Sequence, residues 1–262
     1  MKRSISALLT VAFCLGVHAQ EAAKPAAATP KAQTAAEADP TLKTLEKLKP
    51  EQVEKIRKLV NEASTFVGGI RLQEALARLT EAEALAPDLF MVHNLKGAVF
   101  TKMKEFPKAR EAFEKALKLN PGSFQPKFNL AEIDFVTAAN KVRAGNAAAA
   151  AEDWAKAEKG LKDLLTANGV DAGTKKLVEF KLVITSLHLK KDAEAKKMLE
   201  SFSYLDDEPV YHMSHAAEQY FKGNKTEAQD WTASASRIYP PQAITIYVDS
   251  FIELGWVESL GS

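Results

Sequence analysis

Cysteine is almost absent from this 262-residue sequence, since Cys14 is the only one. One cysteine cannot form a disulfide within the chain, and no cysteine pair has metal-ligand spacing. The sequence also lacks a glycine-rich phosphate loop and a serine in a nucleophile-elbow pattern. Basic residues number 35 and acidic residues 34, so no excess of charge indicates nucleic acid or an anionic membrane as a partner. We therefore expect a chain that is not an enzyme, binds no cofactor or metal and has no nucleic-acid partner.

Aromatic residues, Leu, Ile and Val are all missing from residues 20–40, which are rich in Ala and Pro. Such a segment cannot bury enough apolar surface to offset the entropy lost on ordering, so we expect a disordered linker. It is either a passive spacer or a tether that extends the reach of the folded part.

Residues 1–19 have the pattern of a secretory signal peptide. Two basic residues precede the apolar run Ile5–Val17, and Val17-His18-Ala19 puts small residues where a signal peptidase reads them. The run of 13 residues is too short to span a bilayer. A lipoprotein site at Cys14 is disfavoured, because Phe13 precedes it where a small residue is needed. We expect cleavage after Ala19, location in a Gram-negative-type periplasm or outside the cell, and no integral membrane segment after cleavage.

The most informative stretch of the sequence is Phe90–Ser123. Apolar residues in its first half recur at spacings of three and four, as on one face of a helix. Pro107 suits the first turn of a second helix, and Asn120-Pro121-Gly122 ends that helix. The link between the two helices is so short that they must be antiparallel neighbours. Gly97 costs about 1 kcal/mol relative to Ala inside a helix, so we expect it to allow a neighbouring helix to lie against the backbone.

The same pattern occurs 34 residues earlier in the chain. Small residues align with small, large with large, and proline with proline. Ala63, Phe66, Leu72, Ala75, Leu79, Ala82 and Pro87 align with Gly97, Phe100, Phe106, Ala109, Phe113, Ala116 and Pro121. This 34-residue helix–turn–helix period resembles the tetratricopeptide repeat, here of an exported bacterial type. The sequence departs from the family at the usual fourth-position aromatic, where Leu59 and His93 stand, and at the usual Leu before Gly97, which is Lys96.

The resemblance implies an all-α fold, a right-handed α-solenoid of four to five helical hairpins within residues 41–240. We expect repeats at about 56–89, 90–123, 124–167, 176–208 and 209–240. In the third repeat, Ala150, Trp154 and Ala157 reproduce the small–large–small pattern of the second helix seven residues late. We therefore expect residues 137–146 to form an extended turn, either as decoration or as a contact surface. Residues 241–262 are expected to be a capping helix and tail.

The resemblance also implies a function, because the first helices of such repeats line a concave groove that holds a peptide or protein segment. Carried onto this sequence, the groove residues are Met91, Asn94, Ala98, Thr101, Gln125, Phe128, Glu132 and Phe135. Phe128 and Phe135 either anchor an apolar side chain of the partner or face the next helix as core. The carboxylate clamp of some family members is not supported, because Val60, Asn94 and Phe128 occupy its equivalent positions.

We therefore expect a non-catalytic protein–protein interaction scaffold of the bacterial cell envelope. One alternative is a structural envelope protein that forms homo-oligomers through the capping helix or the Trp256 side. Another is a small-ligand or glycan-binding protein that uses Trp154, Trp231 or Tyr220. His212, His215 and Glu218 have a spacing that would place three metal ligands on one stripe of a helix. We interpret them as structural or solvated residues, because metal sites usually draw ligands from more than one element.

Overall fold

The computed structural model describes residues 40–167, 170–205 and 208–258. The expected signal peptide, and the expected linker except for Pro40, lie outside the described residues. The described part contains α-helices, one short 3₁₀-helix at Ala148–Ala150 and no strand. The α-helices are α1 (Pro40–Leu45), α2 (Pro50–Gly68), α3 (Leu72–Leu85), α4 (Phe90–Lys102), α5 (Phe106–Leu119), α6 (Phe124–Arg143), α7 (Ala151–Leu165), α8 (Ala172–His188), α9 (Asp192–Ser201), α10 (Val210–Lys222), α11 (Lys225–Ile238) and α12 (Pro241–Glu253).

Helices α2 to α11 pair into consecutive hairpins, α2–α3, α4–α5, α6–α7, α8–α9 and α10–α11. Neighbouring hairpins stack through α3 on α4, α5 on α6, α7 on α8 and α8 on α10. The architecture is an all-α helical-repeat solenoid, as the sequence predicts.

The hairpins turn at equivalent positions, each of which has a left-handed backbone. At the five hairpin turns the residues with positive φ are Ile70, Lys104, Gly145, Lys190 and Gly223, with φ between 58° and 82°. In every case the amide of the next residue donates to the carbonyl five residues before it, over 2.7–2.9 Å. This bond belongs to the Schellman motif, which satisfies carbonyls at a helix C-terminus and turns the chain. One local device therefore closes the first helix of every hairpin.

The third hairpin shows that one expectation was wrong. Residues 137–146 were expected to form an extended turn, but α6 continues to Arg143 and the chain turns at Gly145. The seven extra residues amount to about two turns at 3.6 residues per turn, so α6 keeps the same face towards the core. Ala138 and Ala139, within the added turns, are fully buried. Trp154 of α7 follows the turn residue Gly145 by nine positions, as Phe113 of α5 follows Lys104, and it packs edge-on against Phe135 with ring centroids 5.1 Å apart.

The second hairpin confirms the expected role of Gly97. A Cβ atom at this position would lie 2.5 Å from Cε1 of Phe113 on α5. Phe113 is fully buried, as are Ala109 and Ala116 on the same helix. The backbone of α4 and the ring of α5 therefore touch where the sequence places a residue without a side chain.

Both ends of the described chain fold back onto first helices. Helix α1 contacts α4, and Leu45 at its end is buried with the core of the first two hairpins. Helix α12 contacts α11, which precedes it, and also α6, α8 and α10. The C-terminal helix therefore extends over three hairpins, whereas a cap of the last hairpin would contact α10 and α11 only.

Candidate functional site

The first helices of the hairpins, α2, α4, α6, α8 and α10, are called the first-helix layer below. In this layer α4 contacts α6, and α8 contacts α10. All eight groove residues predicted from the sequence lie on α4 and α6. Met91, Asn94, Thr101 and Glu132 are partly exposed and Gln125 is exposed, whereas Ala98, Phe128 and Phe135 are buried.

Apart from Met91, the exposed part of this surface is polar, and it lies where α4 faces α6. The Asn129 amide nitrogen lies 3.5 Å from the Asn94 side-chain oxygen, which links the two helices by a weak contact. Thr101 donates its hydroxyl to the carbonyl of Gly97, over 2.9 Å. The amide side chains of Asn94 and Gln125 each carry both donors and an acceptor, the groups that a peptide backbone requires. We call this surface, formed by Met91, Asn94, Thr101 and Gln125, the α4–α6 surface.

For the two phenylalanines, the structure supports the alternative in which they belong to the core. Phe128 is 4% exposed and Phe135 is fully buried. One contact of the Phe135 ring is with Trp154, and the Lys181 ammonium lies 4.2 Å from its centroid. Neither ring is available to anchor a partner's side chain unless the surrounding helices move.

Helix α12 covers the C-terminal part of the first-helix layer with aromatic side chains. The ring of Phe180 on α8 lies 5.0 Å from Tyr247 and 5.8 Å from Phe251 of α12. Phe251 also packs 5.1 Å from Tyr220 of α10. All four residues are buried. The groove expected along the whole layer is therefore filled by the chain itself in this region.

A charged cluster lies beneath α12, centred on Lys181 of α8, which is 3% exposed. Its ammonium donates to the Ser250 hydroxyl over 3.0 Å and pairs with Glu132 of α6 over 3.1 Å. Glu253 of α12 lies 4.0 Å away. We call these residues, together with Asp249, the Lys181 cluster.

The Lys181 cluster has more acidic than basic groups, and the pKa values of two of its carboxyl groups are raised. Burial, together with the neighbouring Glu132 and Asp249 carboxylates, raises the pKa of Glu253 to about 7, although the Lys181 ammonium opposes this shift. Burial also raises the pKa of Asp249. One oxygen each of Glu132 and Glu253 is buried without a hydrogen-bond partner in the described part of the chain. Buried oxygens without a hydrogen-bond partner weaken the interface in which they lie.

A family model for the tetratricopeptide repeat matches residues 91–123. Residues 91–123 therefore form a tetratricopeptide repeat. Among solved structures, TTC0263, a tetratricopeptide-repeat protein of Thermus thermophilus, is 16% identical, with 76% of this chain and 98% of that chain covered and a TM-score of 0.54. YrrB, a tetratricopeptide-repeat protein described as having an unusual peptide-binding site, is 17% identical, with 82% and 99% covered and a TM-score of 0.47. At these identities the likeness concerns the fold alone. No curated protein matches the sequence.

The aromatic residues named in the glycan-binding alternative pack against other side chains within the hairpins. Trp154 is 1% exposed and Tyr220 is 7% exposed, so neither offers a free face to a sugar. Trp231 is partly exposed, and the His215 ring stacks on it with centroids 4.7 Å apart. Trp256, which the self-association hypothesis names as one of two alternative surfaces, stacks on Tyr220 of its own chain with ring centroids 5.7 Å apart.

His212 and His215 lie among aromatic rings of the last hairpin, beside Tyr211 and Trp231. Within residues 40–167, 170–205 and 208–258, no group of three His, Cys, Asp or Glu side chains has the geometry to hold a metal ion. Burial lowers the pKa of His212 and of His215. No helix in the described ranges combines the length and apolar character needed to cross a bilayer.

The repeat positions also indicate which part of the first-helix layer is covered by α12, and the sequence prediction did not use this information. The four offsets that give Met91, Asn94, Ala98 and Thr101 on α4 can be read on α8 and α10 as well. They give Leu177, Phe180, Ile184 and Leu187 on α8, and Val210, Met213, Ala217 and Tyr220 on α10. All eight are buried. A set of apolar residues at groove offsets predicts a covered surface, and the apolar stripe of α12 is the segment that covers it.

Proposed function

We propose that this tetratricopeptide-repeat protein is a non-catalytic scaffold that binds a segment of another protein on the α4–α6 surface. The supporting observation is the contrast within the first-helix layer. On α8 and α10 the groove offsets are apolar and lie under α12, whereas α4 and α6 retain Asn94, Thr101 and Gln125 at least partly exposed. Repeat solenoids use extended surfaces of this kind to bind partners.

Photocrosslinking at single positions tests the proposed surface. A photoreactive amino acid at position 94 or 125 is expected to form adducts with a partner in cells of the source organism. The matched control is position 114, where Glu114 is exposed on α5, in the second helix of the same hairpin. Mass spectrometry of the adducts identifies the partner, and Asn94→Arg is then expected to weaken its binding about ten-fold or more. Adducts at position 114 but not at 94 or 125 would place the binding surface elsewhere.

We also propose that the scaffold acts in the cell envelope. The proposal rests on the sequence of residues 1–19, which has a basic start, an apolar run and small residues at a cleavage site. The chain isolated from its host is expected to begin at Gln20, as measured by intact mass and N-terminal sequencing, and to fractionate with periplasmic or secreted proteins. Replacing Ala19 with Arg should block cleavage, while Ala22→Arg, beyond the site, should not. A cytosolic chain that retains Met1 would overturn this part of the proposal.

A further inference from the structure

We propose that the surface formed by α6, α8 and α10 is a second binding groove, specific for an amphipathic helix, and that α12 occupies it as an exchangeable internal ligand. The external ligand that it fits is a helix of a partner protein with two aromatic residues four positions apart and acidic or hydroxyl groups beside them. This inference extends the scaffold function above to a second site, but it uses a different set of residues.

The contacts of α12 define the chemistry of that ligand. Tyr247 and Phe251 are four positions apart, which places them on one side of a helix, and both meet Phe180. Ser250 and Glu253 face Lys181, at 3.0 Å and 4.0 Å. The groove therefore recognises an aromatic pair through apolar packing, and the polar groups next to it through one buried cation.

The contacts between α12 and the groove include features that favour exchange of α12 over its permanent burial. The Tyr247 hydroxyl and one Glu253 oxygen are buried without a hydrogen-bond partner in the described structure. The cluster also sets three carboxylates against one lysine. A partner helix that presents one carboxylate to Lys181 and places no unsatisfied polar atom in the groove would bind better than α12 does, because unsatisfied buried polar groups oppose binding.

The charges that face Glu253 make the exchange dependent on pH. They are Glu132 of α6, Lys181 of α8 and Asp249 of α12 itself. The side chain of Arg143, at the end of α6, lies beside Gly255. Since burial holds the pKa of Glu253 at about 7 against an ordinary 4.5, docking of α12 takes up a proton between these values. The docked state is therefore favoured at acidic pH and weakens as the pH rises through 7.

A peptide added to the full chain tests the groove. The double variant Tyr247→Ala/Phe251→Ala removes the aromatic pair from α12 and leaves α6, α8 and α10 unchanged. A fluorescent peptide of residues 241–258 is expected to bind this variant about 100-fold more tightly than the unmodified chain, because it no longer competes with α12. The matched control is Thr245→Ala, whose hydroxyl bonds only the Pro241 carbonyl of its own helix, over 2.9 Å. This control should bind the peptide as weakly as the unmodified chain.

Peptide variants test the recognition chemistry. A peptide that itself carries Tyr247→Ala and Phe251→Ala should not bind. Affinity of the unmodified peptide should fall by up to about ten-fold from pH 6 to pH 7, whereas a Glu253→Gln peptide should lose this dependence. Equal binding of the peptide to the double variant and to the unmodified chain would overturn the proposal. Formation of dimers by the double variant, without peptide binding, would also overturn it, because the uncovered surface would then bind a second copy and not a helical peptide.

Hydrogen exchange of the unmodified chain tests the proposal even where the double variant fails to fold. Amides of α12 are expected to exchange through a local opening at least about ten-fold faster than those of α8 and α10. Equal protection in all three helices would mean that α12 is part of one cooperative core and would overturn the proposal. Photocrosslinking at position 94 tests the scaffold function on other residues, so either proposal can fail while the other stands.

Discussion

Replacing Lys181 with Met is expected to lower the free energy of unfolding by about 3–5 kcal/mol at pH 8, although methionine suits a buried site. The loss arises because Glu132, Asp249 and Glu253 remain around the position without a cation. Lys181 is 3% exposed, so water cannot take over its role. Removing one partner of a buried ion pair costs more than the pair contributes, because the remaining charge is desolvated and unpaired.

The pH dependence separates this effect from a simple loss of packing. Burial gives Glu253 a pKa of about 7, above its ordinary 4.5, so the folded state of the unmodified chain holds more protons than the unfolded state between these values. Its contribution to stability is complete below pH 4.5 and is lost as the pH rises through 7. In Lys181→Met the carboxylates protonate still more readily, so the deficit should shrink between pH 8 and pH 5.

Urea unfolding followed by circular dichroism at pH 8 and pH 5 measures both effects. Lys159→Met is the matched control, since Lys159 is exposed on α7 and should tolerate the change within about 0.5 kcal/mol. A deficit for Lys181→Met that is the same at both pH values would show that packing, not charge, explains the loss.

The hairpins were predictable from sequence because each depends on local features. Gly97, Phe113 and Pro121 encode a contact and a helix end within one repeat, and the 34-residue period repeats them. The turn geometry is equally local, since one left-handed residue and one backbone hydrogen bond recur in every hairpin. Patterns within one repeat, and between repeats 34 residues apart, carry these features, so a single sequence reveals them.

The length of α6 was not predicted, because an insertion of seven residues has two interpretations. A loop and two added helical turns both restore the frame at Trp154. Residues 137–143, TAANKVR, contain no proline or glycine, and the first glycine is Gly145, where the turn occurs. The position of the first helix breaker therefore favoured the helix.

The covering of α8 and α10 by α12 depends on contacts between distant residues, which no local pattern states. Lys181 and Ser250 are 69 positions apart, and their hydrogen bond joins the fourth hairpin to the C-terminal helix. The helix containing Phe180 is apolar around much of its girth, and Tyr247 and Phe251 are four positions apart on one stripe. Together, these features divide the first-helix layer into two parts. Its α4–α6 part remains polar and accessible, whereas its α8–α10 part is an apolar groove that the chain fills.

Gly97→Trp is expected to prevent folding of the second hairpin, and even Gly97→Ala should lower the free energy of unfolding by about 1–3 kcal/mol. Helix propensity alone predicts the opposite sign, since Ala is about 1 kcal/mol more favourable than Gly inside a helix. The sign reverses because the new Cβ would lie 2.5 Å from Cε1 of Phe113 and 2.6 Å from its Cδ1. Phe113 is fully buried, so its ring cannot move into solvent.

Gly68→Ala is the matched control for Gly97→Ala. Gly68 is the last residue of α2, and nothing lies within 4 Å of a Cβ added there. The same substitution should therefore leave stability unchanged or raise it by up to about 1 kcal/mol. Phe113→Leu, combined with Gly97→Ala, should cost less than the sum of the two single changes, because the smaller side chain relieves the clash. Thermal and urea unfolding measure all four variants, and additive costs would show that the Cβ at position 97 and the ring of Phe113 do not meet.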